Sequence, residues 1–244
     1  RKAAQEKAEA EKRAAEQAAK APAPAKTGEK KISRRKMLGI LGGAAVLALV
    51  GGAGYAVYSA ASESATNGSC GDGLTWNLSD AGVLTIQGSG TITSSPWLEY
   101  SNAIATINIF ASQIHITTAN FSGCSFVTHV TLPYDTQEIG AYAFRDCTSL
   151  ASISLPYSLI RIGRAAFKGC TSLSSVIFPD SLTSISAETF KDCISLSSVS
   201  IPKSVTNIYS QAFKGCALTS VTVSRNCKVH ESAFDEGVTI NYYD

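Results

Sequence analysis

Residues 147–173 read CTSLASISLPYSLIRIGRAAFKGCTSL, and the last four residues repeat the first four after an interval of 23. The same interval separates five phenylalanines and five cysteines. They are Phe121, Phe144, Phe167, Phe190 and Phe213, and Cys124, Cys147, Cys170, Cys193 and Cys216. Prolines recur at the same spacing from Pro133 to Pro202. A period shared by several residue types indicates a solenoid, in which each short unit packs only on its neighbours.

Each unit has the pattern of a short strand followed by a turn. In AFKGCTSLSSVIFPDSLTSI (166–185), Val176 and Phe178 alternate with residues that face solvent. Pro179 ends the strand, because proline cannot donate to a sheet ladder. The sequence therefore predicts a β-rich solenoid of 23-residue repeats, each with a short strand and a short helical or irregular turn. We expect the periodic Phe and Cys residues to form its core.

The residues before the repeats have a different pattern. LTWNLSDAGVLTIQGSG (74–90) alternates apolar and polar residues on both sides of a turn, which is typical of a β-hairpin. We expect this hairpin to cap the first repeat, with Trp76 and Trp97 covering its open edge. The predicted organisation is a basic segment (1–36), an apolar segment (37–61), a β-hairpin cap region (62–103), the repeats (104–234) and a C-terminal cap or tail (235–244).

Charge is distributed unevenly along the chain, although the formal net charge is only +2. Residues 1–36 contain 12 Lys and Arg and 5 Asp and Glu, whereas residues 37–244 contain 9 and 14. The segment 37–61 contains no charged residue, and a helix of this length can span a hydrocarbon core of roughly 30 Å. The positive-inside rule then predicts a single transmembrane helix, a cytoplasmic N-terminus and extracellular repeats.

Another interpretation of this segment is an export signal. SRRKML (33–38) resembles a twin-arginine signal, and SAA (59–61) would allow cleavage after Ala61. Both interpretations place the repeats outside the cytoplasm.

The repeat also resembles a known family. The pattern A-F-x-x-C-x-S-L-x-S-V-x-I-P-x-S-L-x-x-I, over roughly residues 104–234, resembles the BspA-like type of leucine-rich repeat. The opening SCGDGLTWNLSDAGVLTI (69–86) is similar to the segment that precedes repeats in that family. The resemblance implies a right-handed, β-rich α/β solenoid of 23-residue leucine-rich repeats with a parallel sheet on one face. It also implies display on the surface of a host-associated microbe, with adhesion to matrix proteins or other microbes.

The residues that usually carry catalysis or metal binding form no recognisable motif. Cys227 and His230 are close in sequence, but no acid is placed to orient the histidine for a nucleophilic mechanism. No CxxC pair is present to bind zinc. The seven cysteines can form either a reduced, packed column or some disulfides. We expect no enzyme activity, metal, cofactor or nucleic-acid partner.

Three sets of exposed positions are candidates for ligand binding. The outward face of the strands is small and hydroxylated. Its first column includes His129, Ser152, Ser175 and Ser198. One cation follows each repeat phenylalanine from Phe144 to Phe213, at Arg145, Lys168, Lys191 and Lys214, and these would form a basic stripe for acidic ligands. Tyr134 and Tyr157 follow successive prolines and form a candidate aromatic pair.

These features favour a membrane-tethered repeat domain that binds extracellular proteins or glycans non-covalently, with cell-surface adhesion as its role. The alternative is a structural or sensory ectodomain of a signalling protein, whose cytoplasmic module would precede Arg1.

Overall fold

The computed structural model describes residues 66–244, which form a β-solenoid. Its strands are β1 (Thr66–Gly71), β2 (Leu74–Leu78), β3 (Val83–Thr91), β4 (Thr106–His115), β5 (His129–Thr131), β6 (Glu138–Ile139), β7 (Ser152–Ser154), β8 (Arg161–Ile162), β9 (Ser175–Ile177), β10 (Ser184–Ile185), β11 (Asn207–Ile208), β12 (Ser220–Ser224), β13 (Lys228–Val229) and β14 (Thr239–Tyr243). One 3₁₀ helix, Pro96–Ala103, lies between β3 and β4.

The predicted membrane-spanning segment 37–61 and the basic segment 1–36 lie outside the described residues. Within residues 66–244, no helix combines the length and the apolar character needed to cross a membrane.

The first wall of the solenoid is a parallel ladder in register with the repeat. β3, β4 and β5 pair in order, as do β7 with β9 and β12 with β14. Single bridges join Ile177 to Ser200 and Ser200 to Thr222. Each strand pairs with the equivalent strand of the next repeat. Residues at the same repeat position therefore form columns along the wall.

A second wall also consists of parallel strands. Here β6, β8, β10, β11 and β13 pair in that order. Ile139, Ile162, Ile185 and Ile208 point into the core from these strands. The solenoid therefore has parallel strands on two walls, whereas a parallel sheet on one face was expected. Each strand here has only two residues, which is too short to produce an alternating sequence pattern.

The third wall contains no regular strand, yet its turns are hydrogen-bonded to one another. The backbone N–H groups of Tyr142, Phe144 and Asp146 donate to carbonyls of the next turn, at 2.9, 2.8 and 2.8 Å. Tyr142 and Asp146 both have a positive φ of 58°. Two of these three donors therefore have a left-handed backbone conformation. Residues 66–244 contain no α-helix, so of the expected helical or irregular turns the repeats have irregular ones, with one 3₁₀ helix at Pro96–Ala103.

A stack of seven aromatic rings runs through the core. Its members are Trp97, Phe121, Phe144, Phe167, Phe190, Phe213 and Phe234, each from a different turn. Successive ring centroids are 5.2–5.6 Å apart, and successive planes differ by no more than 15°. This is the offset-stacked geometry that aromatic pairs prefer. The recurrent phenylalanine is thus the central contact between neighbouring repeats.

The hairpin predicted at 74–90 is present before the repeats. β2 pairs antiparallel with β3, and β1 pairs antiparallel with the other edge of β2. β3 then pairs in parallel with β4 and continues the first wall. The Trp76 ring packs edge-on against Trp97, with centroids 6.0 Å apart. The Trp97 indole N–H donates to the carbonyl of Asn120 at 2.7 Å.

Candidate functional site

The cysteine column lies beside the aromatic stack and is reduced. All seven cysteines are free thiols in the structure. The Sγ atoms of Cys147, Cys170 and Cys193 donate to the carbonyls of Phe121, Phe144 and Phe167 at 3.3, 3.2 and 3.2 Å. These are weak hydrogen bonds that recur because the packing recurs. Burial raises the pKa of each thiol. The column is therefore structural rather than reactive.

Cys227 and His230 do not assemble a nucleophile and base in the structure. Burial raises the pKa of the Cys227 thiol, opposite to what an activated cysteine needs. The His230 Nδ1 atom accepts a hydrogen bond from the Ser232 backbone N–H at 3.2 Å. Among residues 66–244 there is no group of three or more potential metal-ligating His, Cys, Asp or Glu side chains.

The outward positions of the first wall form the expected hydroxyl columns. His129 pairs with Thr106, and Ser152 pairs with Ser175, so the side chains of each pair are adjacent; Thr106 is half-buried and the other three are exposed. Ile177 lies in the neighbouring column and is 83% exposed. β14 extends the two columns with Thr239 and Asn241, which pair with Ser220 and Thr222. The sequence did not reveal this extension, because the last unit departs from the 23-residue period.

The four cations of the predicted basic stripe form a column, but acidic or polar groups lie close to each one. Arg145 Nε is 3.0 Å from Asp146 Oδ2, and Lys168 Nζ is 2.8 Å from Glu188 Oε2. Lys191 Nζ donates to Gln211 Oε1 at 2.7 Å. Lys214 lines an open cavity of about 700 Å³ together with Glu231, Ser232, Phe234, Asp235 and Glu236. The positive potential of this column is therefore partly neutralised by its neighbours.

Glu188 is the most strongly held carboxylate on this wall. It accepts from Lys168 and pairs with Arg164 of the preceding turn. Hydrogen bonds from Lys168 and Arg164 lower the pKa of Glu188 from its ordinary value of 4.5 to about 2. The network links two successive repeats through their side chains.

This ion-pair network should make folding stability depend on pH. Because the folded-state pKa of Glu188 is depressed, its contribution is present above pH 4.5 and is lost as the pH falls towards 2. Since both cations lie near solvent, we expect a contribution of only about 0.5–1 kcal/mol. Urea unfolding from pH 6 to pH 2 should show Glu188→Gln less stable than the native chain at pH 6. The difference should vanish near pH 2. A difference that stays constant over this range would contradict the assignment.

Tyr134 and Tyr157 are the most exposed aromatic side chains of the described residues, at 72% and 73%. They occupy equivalent positions in adjacent turns, directly after Pro133 and Pro156. Phe110 precedes them by one turn and is 45% exposed. The sequence did not single out Phe110, because its turn has no proline before an aromatic residue. Phe110 itself occupies the position that Pro133 has in the next turn.

Residues 91–241 match the model of the BspA type leucine rich repeat region in 6 copies. A leucine-rich repeat protein of T. pallidum is 28% identical, covering 69% of this chain and 84% of that chain with a TM-score of 0.47. A leucine rich cell surface protein of Faecalibacterium prausnitzii is 25% identical, covering 70% of this chain and 53% of that chain with a TM-score of 0.42. No curated protein matches this chain. Because the matched residues make up more than half of the sequence and coincide with the stacked turns, this chain belongs to the BspA-type leucine-rich-repeat family.

Proposed function

We propose that this protein is a cell-surface binding protein that recognises extracellular proteins or glycans non-covalently and serves in adhesion. The observation that carries the proposal is the arrangement of its walls. The repeated core residues are buried in every turn, whereas the residues between them form rigid exposed columns. Solenoids of this kind use such extended surfaces for binding. Leucine-rich-repeat families are typically binding scaffolds rather than enzymes.

The proposal includes tethering to the cell membrane through residues 37–61, with the N-terminus in the cytoplasm and the repeats outside. Twin-arginine-type export with cleavage after Ala61 remains the alternative route to the surface. We further propose that the hairpin region 62–103 caps the solenoid and that residues 235–244 form its C-terminal cap or tail. The pairing of β3 with β4 and the contact of Trp97 with Phe121 support the proposal that the hairpin region is a cap.

Binding is best tested with the full chain on an array of extracellular matrix proteins and glycans. Saturable binding to at least one component is the expected result. Absence of binding across the array would favour the alternative role, in which the repeats serve as a spacer or sensor. Protease digestion of intact cells tests the predicted orientation, because the repeats should be cleaved while residues 1–36 are protected.

The basic column gives a specific prediction for acidic ligands. Changing Arg145, Lys168, Lys191 and Lys214 together to Gln should weaken binding to an acidic ligand such as heparin at low salt. The effect should shrink at high salt, where the interaction between charges is screened. A variant with Arg161, Lys203, Arg225 and Lys228 changed to Gln is the matched control, since it also removes four cations, all of them exposed and outside the column. Equal binding by both variants would exclude the column as the site.

A further inference from the structure

Three aromatic side chains lie at one corner of the solenoid in consecutive turns. Asn108 pairs with Thr131, which places Phe110 beside Pro133 and one turn before Tyr134. Tyr157 follows one repeat later. We call Phe110, Tyr134 and Tyr157 the aromatic corner. Single exposed apolar residues are ordinary, but exposed apolar residues on adjacent turns mark interaction sites.

The backbone that carries the two tyrosines is held in place by hydrogen bonds. The N–H of Thr136 donates to the Pro133 carbonyl at 3.2 Å, and the N–H of Leu159 donates to the Pro156 carbonyl at 3.0 Å. The Ser158 hydroxyl donates to the carbonyl of Tyr134 at 2.7 Å. Both rings therefore project from equivalent turns that are joined by hydrogen bonds. Because this backbone is already ordered, a ligand that packs on the rings would lose little free energy to ordering it on binding.

The first-wall surface next to the aromatic corner carries no acidic or basic side chain other than His129. The first-wall positions beside it contain no Asp, Glu, Lys or Arg; they are Thr106, Asn108, His129, Thr131, Ser152, Ser154, Ser175 and Ile177. The nearby carboxylate of Asp135 is turned onto the chain, with Oδ2 accepting the Gln113 N–H at 3.0 Å and Oδ1 buried. The aromatic corner ends where Asp180 replaces tyrosine in the next turn.

This chemistry selects among ligand classes. Nucleic acids and sulfated glycans need Lys or Arg, which this surface lacks. The energetic centres of protein interfaces are enriched in Trp, Tyr and Arg, and of these three this surface offers only tyrosine. A neutral sugar presents apolar C–H groups and uncharged hydroxyls. The C–H groups complement the negative faces of tyrosine rings, and Ser and Thr hydroxyls can both donate to and accept from the sugar hydroxyls.

We infer that the aromatic corner and the adjoining hydroxyl columns bind a neutral glycan, with sugar rings packed on Tyr134 and Tyr157 and sugar hydroxyls bonded to serine and threonine. The inference rests on the proposed binding function and specifies its ligand class.

The test uses the full chain and isothermal titration with three neutral hexasaccharides: cellohexaose, chitohexaose and maltohexaose. At least one should bind saturably. A Tyr134→Ala, Tyr157→Ala variant should bind that sugar at least about tenfold more weakly, because two exposed ring contacts are lost. Tyr209→Ala is the matched control, since Tyr209 is 49% exposed, lies outside the aromatic corner and should leave binding unchanged. Both variants should unfold at the denaturant concentration of the native chain.

Four outcomes would overturn the inference. They are failure of all three hexasaccharides to bind, binding that the double tyrosine variant leaves intact, equal losses in the double variant and in Tyr209→Ala, and binding of a heparin hexasaccharide alone. If the double variant instead loses binding to a matrix protein, the aromatic corner is a protein site and the proposed function survives. If neither proteins nor glycans bind the full chain, the inference and the proposed function fail together.

Discussion

Replacing Phe167 with alanine should lower the free energy of unfolding by about 3–5 kcal/mol, the range for removing a buried phenylalanine ring. Phe167 is fully buried and stacks on Phe144 at 5.5 Å and on Phe190 at 5.4 Å. The substitution therefore removes apolar contacts to two neighbouring repeats and leaves a cavity in the centre of the stack. Chemical denaturation followed by circular dichroism measures the loss.

The same substitution at other positions provides the controls. Phe234 is the last ring of the stack and contacts Phe213 at 5.2 Å, so Phe234→Ala should cost less than Phe167→Ala. Tyr209→Ala removes an exposed side chain and should change stability by no more than about 0.5 kcal/mol. A loss below about 1 kcal/mol for Phe167→Ala would mean that the ring stack does not join the repeats.

Replacing Gly88 with alanine should destabilise the hairpin region by about 2–5 kcal/mol, combining an unfavourable backbone conformation with overpacking. Gly88 has a φ of +112°, which side-chain-bearing residues rarely adopt. A Cβ atom at this position would lie 1.9 Å from the carbonyl oxygen of Gly73. That oxygen belongs to the turn directly before β2 and accepts a hydrogen bond from the Ser89 N–H at 3.3 Å, so moving it away would disturb the pairing of β2 with β3.

Gly123→Ala separates the two contributions. Gly123 also has a positive φ, +78°, but no atom lies within 4 Å of a Cβ built there. Its substitution should cost only the conformational term, about 1–2 kcal/mol. Denaturation of both variants measures the difference. Equal losses would show that the close approach of Gly73 contributes nothing and that strand pairing in the hairpin tolerates a side chain.

Much of the core follows directly from the 23-residue period. A stack of near-identical units places each residue on its equivalent in the next turn, so Phe167 must meet Phe144 and Phe190 once the period is recognised. The inward direction of Val176 and the outward direction of Ile177 follow from strand alternation, and the structure confirms both. The exposure of the tyrosines after Pro133 and Pro156 follows equally from their place in the turn.

Features at the ends of the array and on the other walls were not predictable in this way. Trp97 and Phe234 complete the ring stack although they lie 24 and 21 residues from their neighbours, outside the exact period. Asp146 is adjacent in sequence to Arg145, but the rest of the neutralisation of the basic column depends on contacts such as that of Lys168 with Glu188, twenty residues later and in the next turn. A contact between residues this far apart cannot be predicted from a local sequence pattern, because most of a repeat lies between them.

From the sequence we could predict the repeat, the core residues and the direction of the first-wall side chains, since each follows from periodicity and alternation. Only the tertiary structure decided the second parallel wall, the cross-bonded turns with Tyr142 and Asp146 at positive φ, and the thiol bonds to the phenylalanine carbonyls. The physical reason is that these conformations are stabilised by hydrogen bonds between neighbouring turns. Local propensity favours none of them until the turns are stacked.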